Sequence, residues 1–144
     1  MKLSTKSEYA FLALIECASV YPDGGRVKMQ DIARVRNIPK KYLEHILYQL
    51  KRGGYIQTKR GASGGICLSR APEEISLAEI VRLMDGALAP TLSVSTYFYE
   101  STPLEQSPEF IAFFKGIRDY LAGQLENTTL ADLLPDRGSD TAQP

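Results

Sequence analysis

Residues 39–70 read PKKYLEHILYQLKRGGYIQTKRGASGGICLSR, and the order of patterns within them decides the fold. Leu43, Ile46, Leu47 and Leu50 recur at i, i+3, i+4 and i+7, the spacing of one buried helical stripe. A helix is therefore expected over Lys40–Arg52, opened by Pro39 at its first position and stopped by Gly53-Gly54. At about 100° per residue, Lys41, Glu44, His45, Tyr48 and Arg52 fall on the face opposite the leucines, which leaves that face free for a partner. Tyr55–Arg60 and Ile66–Arg70 then read as two short strands, rich in β-branched and aromatic residues and joined by Gly61-Ala62-Ser63-Gly64-Gly65. The hairpin tip is glycine-rich and Lys59 and Arg60 stand at its base, so its backbone can approach another molecule closely beside two cations.

Upstream, a short helix is expected over Met29–Arg36, with Asn37 taking a left-handed turn two or three residues before the next helix. A first, largely buried helix is expected over residues 6–21, because Thr5 and Glu8 have capping-box spacing and Pro22-Asp23-Gly24-Gly25 stops the apolar run. Downstream, Ser76-Leu77-Ala78-Glu79 is a second capping box, opening a helix with Leu77, Ile80, Val81 and Met84 on one face and Gly86 at its end. Residues 87–107 lose periodicity. Ser107-Pro108 restarts a long helix to about Glu126, with Phe110, Phe114, Ile117, Leu121 and Leu125 on one stripe and Phe113 and Tyr120 widening it. So wide a stripe needs a large apolar partner. A last short helix is expected over Thr129–Leu134, and the polar residues 135–144 are expected to be disordered.

The 144 residues suffice for one modest core or a small domain with a helical arm. Net charge is zero, but it is split along the chain. Residues 1–70 carry 13 Lys and Arg against 5 acids, whereas residues 71–144 carry 4 against 12. A basic half suits nucleic acid or an anionic membrane surface, because clustered cations displace counterions from a polyanion; the alternative is a solvated basic face. Cys17 and Cys67 are the only cysteines, too few and too far apart for a disulfide framework or a CxxC metal pair, which fits a reducing compartment. Glu8 and Glu16 interrupt the apolar run after Lys2 and Lys6 and argue against a secretory signal. No apolar stretch reaches the roughly 18 residues of a membrane span, so a cytoplasmic protein without a membrane partner is expected.

Three helices, the second and third tightly joined, followed by a hairpin with a basic glycine-rich tip, give the element order of a winged helix-turn-helix. The expected class is mainly α with a small β-hairpin wing. Residues 1–86 would form the winged domain, 87–107 a loop, and 108–134 a pairing helix with the short terminal helix. A helix of this diameter fills the major groove of DNA, and the hairpin reaches the adjacent backbone or minor groove.

Several stretches carry a family resemblance: Met1-Lys2-Leu3-Ser4-Thr5-Lys6 with Tyr9-Ala10, Tyr42-Leu43-Glu44, Arg60-Gly61-Ala62-Ser63-Gly64-Gly65 and Thr128-Thr129-Leu130-Ala131-Asp132-Leu133. Over about residues 1–134 the chain resembles the Rrf-two family of bacterial transcriptional regulators, which includes the iron–sulfur cluster regulator and the cysteine-metabolism repressor. The resemblance implies a homodimer, usually a repressor, paired through Phe110, Phe114, Ile117, Leu121 and Leu125 and bound to near-palindromic double-stranded operator DNA. It further implies that Pro39–Arg52 is the recognition helix, with Lys41, Glu44 and His45 at base-reading positions and Arg60 in the minor groove. Lys2, Lys6, Lys40, Tyr48, Lys59 and Ser63 would then meet the DNA backbone. Chemically, Lys41 suits guanine or phosphate and Glu44 can accept from cytosine N4; the alternative for Glu44 is a surface ion pair with Lys40, Lys41 or a neighbour of Tyr48.

Cluster-binding members place three cysteines between the fourth helix and the pairing helix, whereas residues 87–107 contain Ser93, Ser95 and Ser101 and no cysteine. Hydroxyls do not replace thiolates as cluster ligands, so no iron–sulfur cluster and no metal are expected. His45 is the only histidine, which leaves no His-rich metal site. The glycine loop lacks the lysine of a phosphate-binding P-loop, and no enzyme activity is expected. Two further readings remain open. Tyr97, Phe98 and Tyr99 either line a pocket for a small-molecule or redox effector or pack against the pairing helix, and the winged fold either serves DNA or has become a module for a protein partner.

Overall fold

The computed structural model describes residues 1–135. Its elements run α1 (Thr5–Ser19), α2 (Met29–Arg36), α3 (Lys40–Arg52), β1 (Ile56–Lys59), β2 (Gly65–Leu68), α4 (Leu77–Met84) and α5 (Pro108–Glu126), with short 3₁₀ turns between several of them. Helices dominate and, among the described residues, the only sheet is the antiparallel β1–β2 hairpin, the architecture of a winged helix-turn-helix with an added long helix.

The first helix is built for close approach. It buries Ser7, Ala10, Ala13, Leu14, Cys17 and Ala18, mostly small side chains, and packs against α2, α3, α4 and β2. The core continues through Ile32 and Ile38, the four predicted residues of α3, Ile56, Ile66 and Leu68 of the hairpin, and Ile75 and Ile80. Burial pushes the Cys17 thiol up to about 12, with Cys67 and Glu16 nearby adding to it, so Cys17 is a small buried hydrophobe.

Several boundaries differ from the expectation. Ser4, not Thr5, caps α1: its hydroxyl accepts from the Ser7 N–H at 3.0 Å, while its own N–H and hydroxyl are donated to the Asp85 carboxylate beyond α4. That tertiary anchor moves the cap one residue upstream. Burial alone would raise Asp85, but the bonds from Ser4, helped by Ser7 and Lys6, outweigh it and hold the carboxyl below its ordinary value. α1 also stops at Ser19, and Tyr21–Asp23 turns as 3₁₀ around Pro22 before Gly24. Pro39 is the extended residue before α3 instead of its first helical residue. The strands are shorter than expected, four residues each, and beyond them the Ser69 N–H still donates to the Tyr55 carbonyl at 2.9 Å while the Tyr55 and Arg70 side chains meet Glu79. In α4 the most deeply placed residues are Ala78, Ile80, Val81 and Met84, with Leu77 only half-buried.

Residues 87–107 are not uniformly irregular, since Leu92–Val94 and Pro103–Gln106 form 3₁₀ turns that pack on α5. The expected helix over Thr129–Leu134 is a single 3₁₀ turn, Ala131–Leu133, tied to the main body by Leu130 N–H donating to Ile75 O at 3.0 Å. Of the segment 135–144 read as a tail, all but Pro135 lies outside the described residues. Among the described residues no helix is long and apolar enough to cross a membrane.

Candidate nucleic-acid interface

Two tight connections set the recognition geometry. Asn37 adopts φ +54, the left-handed turn its side chain tolerates, and Ile38 then drops into the core, which turns the chain from α2 into α3 within three residues. With Leu43, Ile46, Leu47 and Leu50 buried, Lys41, Glu44, His45, Tyr48 and Arg52 are left exposed, as the helical period required. Tyr9 meets Tyr42 edge-on at 5.4 Å, so the start of α1, which carries Lys6, lies beside the start of α3 and Lys40. Lys2 is exposed before α1.

The wing stands beside α3. β1 and β2 pair with Ile56 opposite Leu68 and Lys59 opposite Gly65, and Val27 adds an isolated antiparallel bridge to Ile66. Two glycines are required by close approach. A Cβ at Gly64 would lie 2.1 Å from the Lys59 carbonyl oxygen, and one at Gly65, where φ is +138, would lie 2.9 Å from that of Val27. Lys59, Arg60 and Ser63 are all exposed.

A groove of about 650 Å³ runs between α3 and the wing, lined by Glu44, Tyr48 and Lys51 of α3, by Thr58, Lys59 and Arg60 of the wing, and by Lys28 before α2. The structure thus gathers Glu44, Tyr48, Lys59 and Arg60 around one space. His45 belongs to a different one: it lies with Tyr48 and Arg52 along a groove of about 450 Å³ that is also lined by Leu83 of α4. Lys41 lines neither. Lys51 and Lys28 were missed by the sequence reading. Lys51, seven residues after Glu44 on the same helix face, was legible from the period; Lys28 carried no such signal.

Charge in this region is unspent. Among the described residues the basic half forms three ion pairs, Arg34–Asp31, Arg36–Glu16 and Arg70–Glu79. Among the same residues Lys40, Lys41, Lys51, Lys59 and Arg60 have none, and Glu44 does not form the surface pair with Lys40, Lys41 or a neighbour of Tyr48 that was its alternative. Arg52 lies 5.9 Å from the Tyr48 ring centre, leaving its guanidinium available. Cations without local acids attract an external polyanion.

The loop and α5 look different. Tyr97, Phe98 and Tyr99 are exposed, and the cavity beside them is about 10 Å³, room for a single water at most. None of the 19 residues of α5 is buried; Phe110, Phe113, Ile117 and Tyr120 are exposed, and Phe114 and Leu121 half-covered. Leu125 instead packs onto a small cluster of Ala78, Val81 and Leu88 in its own chain.

Comparison with known proteins agrees with this geometry. The family model Rrf2, described as an iron-dependent transcriptional regulator, matches residues 3–136. A Synechocystis protein named as an HTH-type transcriptional regulator, slr0846, is 34% identical over 139 residues, covering 96% of this chain and 91% of that one. The HTH-type transcriptional regulator CymR of Bacillus subtilis is 30% identical over 92% of this chain and 89% of its own. Its solved structure, that of the global cysteine regulator, superposes with a TM-score of 0.73 over 92% of this chain and 95% of its own. The structure of T. potens IscR is 26% identical, with a TM-score of 0.74 over 100% of this chain and 94% of its own. A basic face on the third helix, a wing beside it and full-length matches of this kind have one reading: the chain belongs to the Rrf2 family of transcriptional regulators and binds DNA.

Proposed function

We propose that the protein is a dimeric repressor that reads the major groove with α3 and the adjacent minor groove with Arg60 of the wing. The observation that carries this reading is the groove between α3 and the wing, where Lys51, Lys59 and Arg60 are exposed and, among the described residues, have no acid paired to them. Glu44 and Tyr48 reach into the same space, so one carboxylate is placed to accept from a cytosine amine among cations that hold phosphates. Arg60 follows β1 at the wing's edge, where the negative potential of a narrow minor groove would draw it in. Two copies pair through α5, whose Phe110, Phe113 and Tyr120 rings stand exposed in the single chain, and this sets two recognition helices one helical turn or a multiple apart.

We further propose that the regulator works without an iron–sulfur cluster, although its family model is described as iron-dependent. The donor set does not fit one. Ser93 and Ser95 are buried, but their hydroxyls are occupied: Thr102 donates to Ser93 at 2.7 Å, and the Phe98 N–H donates to Ser95 at 3.0 Å. Cys17 and Cys67 lie in α1 and β2, away from that loop. Among the described residues no three His, Cys, Asp or Glu side chains gather to hold a metal.

The test is titration of anaerobically purified protein onto DNA from upstream of its own gene at two salt concentrations, after recording its visible absorption. The reading expects colourless protein whose affinity falls steeply with salt and falls again in Lys41→Ala and Arg60→Ala. Salt-insensitive binding that ignores both substitutions would replace it with a protein-interaction module, and a brown sample would overturn the cluster-free proposal.

A further inference from the structure

Lys28 is the wrong residue for its local position. It stands at the N-cap of α2, with φ −77 and ψ 142, and makes no side-chain cap bond. Serine, threonine, aspartate or asparagine there would satisfy a free backbone N–H, and a cation beside the positive end of a helix is mildly repelled. Such a conflict between local preference and the residue present marks a tertiary duty. The side chain supplies it: the Lys28 ammonium leaves the helix and donates to the carbonyls of Gly61, at 2.9 Å, and Ala62, at 3.1 Å, in the turn of the wing.

We propose that Lys28 is a positioning residue for DNA binding, a clamp that fixes the wing turn against the start of α2 so that Arg60 is presented in one geometry. The proposal rests on the reading in which Arg60 contacts DNA. Three features converge on the same corner. Val27, the preceding residue, exchanges both backbone hydrogen bonds with Ile66 at 2.9 and 2.8 Å, so the backbone already docks here. The Gly61 carbonyl that accepts from Lys28 also accepts from the Gly64 N–H at 3.0 Å, so the clamp bears on the bond that closes the turn. Arg60 is exposed, immediately precedes Gly61, and has no ion pair or side-chain hydrogen bond of its own among the described residues. Without the clamp, the turn would have to be ordered when DNA binds, at an entropic cost to affinity.

Lys28→Thr separates this role from a merely structural one. Threonine supplies the missing cap and is expected to raise the melting temperature, while removal of the clamp is expected to weaken operator binding about five- to tenfold, the scale of a partly exposed charge-assisted hydrogen bond. Hydrogen exchange at the Gly64 amide of free protein should quicken, and Lys28→Arg, which keeps a cationic donor, should restore most of the affinity. In the Arg60→Ala background Lys28→Thr should cost almost nothing further, because both act through the same contact.

Unchanged Gly64 exchange, or losses that simply add in the double variant, would overturn the clamp and make Lys28 an independent phosphate contact. Wild-type affinity in Arg60→Ala alone would sink the wing reading itself, and this proposal with it.

Discussion

α3 and α5 both leave one face uncovered in the single chain, but they spend their apolar residues in opposite directions. α3 turns Leu43, Ile46, Leu47 and Leu50 inward and shows solvent Lys41, Glu44, His45 and Tyr48. α5 buries none of its residues and shows Phe110, Phe113, Ile117 and Tyr120. The difference teaches what each face awaits. A charged face on a well-anchored helix gains from a polyanion that never enters the core, whereas exposed rings gain from being removed from water. Substitutions on α3 should therefore separate stability from binding, and substitutions on α5 should separate folding from assembly.

The largest effect is expected at α5. Ile117→Asp places a charge where a second copy would cover it, and two half-sites bound by unlinked monomers lose the advantage of one linked pair. Operator affinity should fall about a hundredfold or more, with a monomer mass by light scattering and unchanged helical circular dichroism. A stable dimer in that variant would remove the pairing role from this face.

Next come the two sides of α3. Leu50 is fully buried, so Leu50→Ala should cost about 2–5 kcal/mol in chemical denaturation. Glu44 is exposed and forms no ion pair among the described residues, so Glu44→Gln should change stability by less than about 0.5 kcal/mol. It should nevertheless alter the preference at one base pair of the operator by about 1–3 kcal/mol, read from affinities for single-substituted sites. Uniform weakening on all of those sites would make Glu44 a backbone-facing residue instead of a reader.

How much of this was legible depended on whether one segment contained its own answer. The α3 stripe, the Asn37 turn and the Ser76–Glu79 capping box are local patterns, and the structure keeps all three. The cap of α1 was misplaced because Ser4 is held by Asp85, 81 residues away. The family resemblance implies base contacts for both His45 and Arg60, but they open onto different grooves, which depends on where the wing docks beside α3. Leu125 fits the α5 stripe yet serves its own chain's small cluster with Ala78, Val81 and Leu88. Lys28 left no periodic signal, since its role depends on two carbonyls more than 30 residues away.

The smallest expected effect tests whether the wing end responds to acid before the α5 end. Glu79 completes the α4 capping box by accepting from the Ser76 N–H at 3.0 Å, and it also accepts from Tyr55 at 3.1 Å and Arg70 at 3.0 Å. It therefore ties both ends of the hairpin to α4. Burial pushes its carboxyl up, but the bonds from Ser76, Arg70 and Tyr55 outweigh that and hold it below its ordinary value of 4.5. A carboxylate lowered in the folded state contributes stability above the unfolded value, and the contribution is lost as pH falls through the folded one. Stability should thus decline once pH drops below about 4.5, and amide exchange near Tyr55 and Ser69 should quicken before exchange in α5 does. Because the pair is about one-third exposed, its share is about 1 kcal/mol or less. Glu79→Gln preserves the capping geometry and should flatten the pH dependence in that window, whereas an unchanged acid profile would assign the decline to other carboxylates, Asp85 first among them.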